Sequence, residues 1–132
     1  MWQESIKLSG GGGTPTQTLL WENPSPRKSF SSTTITLSNS ASNFDIVKIT
    51  AKRYYTDSSI NDTLTTYFMY TNNAVSDVIY SYTSNSDLYY RCYYLVSGDT
   101  TIRFESAYNY NGSSASTANY YLIPIQVIGI KY

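Results

Sequence analysis

From Gln17 to the end of the chain, β-branched and aromatic residues fall in short runs, and turn-forming residues separate the runs roughly every 8–15 positions. Punctuation this frequent leaves no room for an amphipathic helix of useful length, so the pattern points to an all-β fold. The expected strands are Thr18–Trp21, Thr33–Ser38, Phe44–Arg53, Thr63–Tyr70, Asp77–Tyr82, Leu88–Val96, Thr101–Tyr108 and Tyr120–Ile130. Several of them alternate as half-buried antiparallel strands do. Val47, Ile49 and Ala51 interleave with Lys48, Thr50 and Lys52, and Ile102, Phe104 and Ser106 interleave with Thr101, Arg103 and Glu105. Turn chemistry lies between the runs, at Asp57-Ser58-Ser59, Thr71-Asn72-Asn73, Ser84-Asn85-Ser86 and Ser97-Gly98-Asp99. Pro124 interrupts the last run, which assigns that position to an edge or a bulge. The fold class expected is an antiparallel β-sandwich, jelly-roll or Ig-like, of about eight strands.

Composition agrees with this layout. The chain has 20 Ser, 16 Thr and 10 Asn among 132 residues, and these side chains favour turns and caps over helix interiors. A core is still available, because 15 tyrosines and 2 tryptophans add large apolar surface to the aliphatic residues. The length suits one domain, expected over residues 17–132. Residues 1–16 contain the run Gly10–Gly13 and read as a flexible N-terminal arm and linker.

Nine basic residues balance nine acidic ones, with no stripe of either sign. Nucleic acid and membrane surfaces are therefore not expected partners. The first residues lack the apolar core of a signal peptide, and no run approaches the roughly 18 residues of a membrane span. Cys92 is the sole cysteine and cannot form an intrachain disulfide.

Histidine is absent, so acid–base chemistry would have to rest on carboxylates, which are few and dispersed. Asp57 and Asp62 flank a predicted hairpin turn, where solvated turn aspartates are common, and the segment lacks the spacing of a calcium loop. Glu105 is the one loose candidate for a glycan-cleaving acid. The glycine run precedes no helix and no Lys-Ser/Thr pair, unlike a phosphate loop. No catalytic residue, metal or cofactor is expected.

Tyrosine distribution is the informative feature. In Leu88-Tyr89-Tyr90-Arg91-Cys92-Tyr93-Tyr94-Leu95-Val96, alternation places Cys92 with Leu88, Tyr90, Tyr94 and Val96, where it reads as core filler. The other face, Tyr89, Arg91 and Tyr93, then points outward to cover a ligand or partner. The segment Tyr108–Asn119 reads as a long loop of Tyr, Asn, Ser and Gly, residue types that antibody loops use for contact. Tyr89, Arg91, Tyr93, Tyr108, Asn109, Tyr110 and Asn111 are accordingly the candidate contact residues. Aromatic faces can stack on a sugar ring while Asn, Asp and Ser read its hydroxyls, and a protein surface can be held in the same way.

Leu19-Leu20-Trp21-Glu22-Asn23-Pro24-Ser25-Pro26, then Phe30 and Thr33-Thr34-Ile35-Thr36-Leu37, resembles the opening of a small β-sandwich domain. That domain occurs in tail, baseplate and fibre proteins of phages and prophages of Gram-positive hosts. The closing Tyr121-Leu122-Ile123-Pro124-Ile125-Gln126-Val127-Ile128-Gly129-Ile130-Lys131 resembles the endings of the same domains. Phe44-Asp45-Ile46-Val47-Lys48-Ile49 is similar to their strand after a short spacer, where Tyr-Asp usually stands in place of Phe44-Asp45. The resemblance spans Thr18–Arg53 and Tyr120–Tyr132. It implies a non-enzymatic virion surface protein, made in the host cytoplasm, often the distal domain of a homo-oligomeric fibre, with a trimer favoured. The partners implied are other virion proteins and a host cell-surface glycan or protein. Such domains commonly follow a long stalk, and only sixteen residues precede this one. The alternative is therefore a capsid or tail decoration protein held by its arm, where Trp2, Ile6 and Leu8 alternate as if to add a strand to a neighbour's sheet edge.

Overall fold

The computed structural model describes residues 14–26, 29–56, 59–69, 76–82, 87–95 and 100–132, with backbone alone for strand residues 54–56, 59–64 and 67–69. Nine strands lie among the described residues: β1 (Thr16–Glu22), β2 (Thr33–Thr36), β3 (Ile46–Thr56), β4 (Ser59–Met69), β5 (Ser76–Tyr82), β6 (Leu88–Leu95), β7 (Thr101–Tyr110), β8 (Ala115–Thr117) and β9 (Leu122–Lys131). They form two antiparallel sheets packed face to face, an all-β sandwich. One has the order β1-β9-β3-β4; the other runs β2-β7-β6-β5, with β8 pairing the far end of β7. Every expected run is a strand, and β8 is an addition inside the segment expected to be a loop. The arm with Trp2, Ile6 and Leu8, and the turn residue Asp57, lie outside the described residues.

The core between the sheets follows the alternation. Val47, Ile49 and Ala51 of β3 and Val127 of β9 meet Ile102 and Phe104 of β7 and Leu95 of β6, all fully buried. Each such Val, Ile, Leu or Phe side chain contributes about 1.5–3 kcal/mol by leaving water. On β7 the phase changes after Phe104. Two residues, Glu105 and Ser106, face the single Cys92 of β6 in a bulge, so Ala107 turns inward and Ser106 is only half-buried.

A second bulge sits between Leu19 and Trp21, where β1 slips against β9. It lets two consecutive side chains, Leu20 and Trp21, turn toward the core. Trp21 packs edge-on against Phe30 at 6.0 Å, and Phe30 packs on Phe104 at 5.7 Å, closing one end of the sandwich. Pro124 lies at a third bulge, between the pairs Thr50↔Gln126 and Ala51↔Pro124, although β9 is a central strand. The carbonyl freed there accepts a bond from Asn23 Nδ2 at 2.8 Å, and the Asn23 amide donates to the Ile125 carbonyl at 2.8 Å.

Phe44 covers Gly129 so closely that a Cβ on that glycine would stand 2.6 Å from the ring. Next to it, the Asp45 carboxylate accepts the Tyr132 amide at 2.9 Å and pairs with Lys131 at 3.7 Å. These contacts fasten the chain entering β3 to the end of β9.

Candidate functional site: an outward tyrosine face

The structure inverts the expected orientation of β6. Tyr89 and Tyr93 are 6% and 1% exposed and Arg91 is fully buried, so none of the three is a surface contact residue; Cys92, expected in the core, is exposed. The cause is the set of acceptors waiting inside. Arg91 donates through Nε to the Leu122 carbonyl at 2.7 Å, through Nη1 to Glu105 at 2.6 Å, and through Nη2 to Phe30 at 2.9 Å and Asn119 at 3.3 Å. Its guanidinium also lies 5.4 Å from the centre of the Phe30 ring. The Glu105 carbonyl sits in the β7 bulge, and Leu122 begins β9 in the opposite sheet, so one side chain ties both layers and two connections. Burial lowers the Arg91 pKa from its ordinary value to about 10, which leaves it cationic at neutral pH. Burial, and then the charge of Asp77, push the Tyr93 phenol well above its ordinary value.

With Tyr89, Arg91, Tyr93 and Leu95 inside, Leu88, Tyr90, Cys92 and Tyr94 of β6 face outward together with alternate side chains of β5, β7 and β8. Cross-strand pairing assembles them into two rows. One row is Tyr80, Tyr90, Tyr108 and Thr117; the other is Tyr82, Leu88, Tyr110 and Ala115. Tyr90 and Tyr108 stack with ring centres 5.3 Å apart and planes at 20°, and Tyr80 meets Tyr82 edge-on at 6.1 Å. Tyr80 and Tyr82 are the most open, at 57% and 63% exposed. A shallow apolar groove of about 390 Å³ is lined by Val78, Tyr80, Tyr82, Leu88, Tyr90 and Cys92. Sequence reasoning did not select Tyr80, Tyr82, Tyr90 or Tyr94. The spacing of Val78, Tyr80 and Tyr82 at every second position was a usable signal, since it puts all three on one face of a strand.

The expected loop Tyr108–Asn119 is largely a hairpin. Its turn is held by Asn111, whose Oδ1 accepts from the Ser113 amide and hydroxyl, each at 3.1 Å, and from the Ser114 amide at 3.0 Å. Gly112 takes φ of 96°, a backbone conformation suited to glycine, and the Tyr110 hydroxyl donates to its carbonyl at 3.1 Å. Thr117 ties the return strand down by donating to the Ala107 carbonyl at 2.7 Å. Of the four candidates here, Tyr108 and Tyr110 lie on the outward face, Asn109 points the other way and is half-buried, and Asn111 organises the turn.

Beside the aromatic rows, at the seam between the edge strands β4 and β5, a second concavity of about 410 Å³ is lined by Thr65, Thr66, Asp77, Val78 and Tyr80. Its walls carry hydroxyls and a carboxylate, and Val78 and Tyr80 belong to both hollows. The Asp77 carboxylate is oriented by a bond from the Val78 amide at 2.8 Å. Glu105 is bound to Arg103 at 3.3 Å. Among the described residues no group of three or more Cys, Asp or Glu side chains is placed to hold a metal ion. No protein-family model matches the chain, and no curated protein is detectably similar to it.

Proposed function

We propose that this chain is a non-enzymatic virion structural protein, a fibre-like or receptor-binding module that attaches to a host-surface glycan or protein through its outward tyrosine face. The observation that carries the binding role is the pair of cross-strand rows, Tyr80-Tyr90-Tyr108 and Tyr82-Leu88-Tyr110. Contiguous exposed aromatic surface of this kind is uncommon on a protein that meets only water. Tyrosine gives large contact area with few rotatable bonds, so little entropy is lost when it is immobilised. The assignment to a virion, and to a homo-oligomer with a trimer favoured, rests on the resemblance of Thr18–Arg53 and Tyr120–Tyr132 to phage tail and fibre domains. Replacing Tyr108 and Tyr110 together by Ser is expected to weaken adsorption to Gram-positive host cells without lowering the melting temperature. Unchanged adsorption would remove host attachment from this face.

The second reading is a decoration or accessory protein anchored through residues 1–16, with the tyrosine face packed on other virion subunits. The lack of charged side chains in the two rows favours it, because the cores of protein interfaces are depleted of charge. Deleting residues 1–13 is then expected to abolish incorporation into particles while the domain stays folded. A truncated protein that assembles normally would rule this reading out.

A further inference from the structure

We infer that the seam between β4 and β5, centred on Tyr80, is a binding subsite for a neutral sugar residue. The inference rests on the attachment reading above and narrows its ligand. Tyr80 is 57% exposed and stands where the two hollows join. On one side its neighbours are the apolar and aromatic Val78, Tyr82, Leu88 and Tyr90; on the other they are Thr65, Thr66 and Asp77. A pyranose has the same division, with a face of C–H bonds and a rim of hydroxyls. The negative face of a tyrosine ring attracts the weakly positive C–H groups. An ionised carboxylate can accept from two adjacent hydroxyls at once, and threonine hydroxyls both give and accept.

Charge narrows the class. Among the described residues, Asp77 is the sole acidic one in the two linings, and neither contains Lys or Arg. A phosphate-bearing or uronic polymer would meet an unopposed carboxylate there, whereas a neutral sugar uses that carboxylate as an acceptor. Size narrows it further. Each hollow is near the low end of the roughly 300–1,000 Å³ of small-molecule sites. A stable protein partner needs about 800 Å² of each surface, for which a concave seam offers no advantage over the flat rows beside it.

The test is a titration of the full chain, followed by NMR or calorimetry, with neutral saccharides (glucose, galactose, N-acetylglucosamine and rhamnose oligomers), with glucuronate oligomers, and with glycerol-phosphate polymer. Neutral oligomers are expected to bind. Tyr80→Ala is expected to weaken them by about tenfold, and Asp77→Asn by about fivefold, with melting temperatures unchanged. Ligand is also expected to slow alkylation of the exposed Cys92 in the adjoining groove. Binding of the anionic polymers alone, binding indifferent to both substitutions, or no binding of any saccharide would overturn the assignment. Whole-cell adsorption separates the two levels. Cells still bound by Tyr80→Ala but not by Tyr108→Ser with Tyr110→Ser leave the attachment reading standing without the sugar seam. If the wild-type chain binds neutral oligomers at Tyr80 but no host cell, attachment fails and the sugar site remains.

Discussion

On β6, Tyr89 and Tyr93 lie inside the sandwich, whereas Tyr90 and Tyr94, each one position further along, face outward. Residue type does not separate the two pairs; the partners available on each side do. Inside, Arg91 finds four carbonyl oxygens, Tyr93 packs on Phe104 with ring centres 6.3 Å apart, and Tyr89 packs on Tyr121 at 5.1 Å. Outside, Tyr90 finds mainly another tyrosine. One face is therefore committed to stability, and the other is available for contact.

The strongest way to break this comparison is Arg91→Ala. It strips a shared donor from the carbonyls of Phe30, Glu105, Asn119 and Leu122, and a loss of about 4 kcal/mol is expected in urea unfolding. A loss under about 1 kcal/mol would mean that the guanidinium does not hold the layers together. Gly129→Ala comes next. Its Cβ would meet the Phe44 ring at 2.6 Å, and overpacking of this kind costs about 1–3 kcal/mol. Combining it with Phe44→Ala should cost less than the two losses added, because the clash disappears.

A smaller effect separates the faces by pH. The Tyr93 phenol is held above its ordinary pKa of about 10, so the unfolded chain gives up this proton first. Stability from Tyr93 is complete below about pH 10 and declines as pH rises above it. Arg91 acts in the opposite sense. Its folded pKa, about 10, lies below that of the unfolded chain, so its contribution favours folding as pH climbs above about 10. Tyr93→Phe should therefore flatten the alkaline loss seen in the wild type. Equal alkaline slopes for wild type and Tyr93→Phe would contradict the burial argument. Smallest of all is Tyr82→Ser, at a residue 63% exposed, which should move stability by no more than about 0.5 kcal/mol. A larger shift in its melting temperature would mean that the outer face also holds the fold.

Much of the fold was legible. The eight runs carry enough alternation to define strands, and Pro124 correctly marked a bulge. Strand β8 was not legible, because Ala115, Ser116 and Thr117 are all exposed and give no apolar phase to read. Nor was the orientation of β6. With tyrosines on both faces, alternation fixes which residues share a side but not which side is buried, and Arg91 then points the wrong way. Its four acceptors come from Phe30, Glu105, Asn119 and Leu122, far apart in sequence, and no local pattern announces them. The site was half legible for the same reason: Tyr108 and Tyr110 stood out in a tyrosine-rich segment, whereas the spacing of Tyr80 and Tyr82 shows only that they share a face, and the strands that pair beside them complete the rows.

Strand order also sets the timing of assembly. β9 follows the other eight described strands in the chain, yet it lies between β1 and β3 and supplies the hydrogen bonds that join them, with Thr16 opposite Lys131. During synthesis the β1 and β3 edges wait for residues 122–131 to leave the ribosome, while the ladders that join β2, β7, β6 and β5 to one another are all available once β7 has emerged. Contacts of such long sequence separation make closure slow. The inner face of β5, β6 and β7, with Ile79, Tyr93, Leu95, Ile102 and Phe104, can therefore be assembled before the sheet that covers it exists, and in that interval association with its own kind competes with folding.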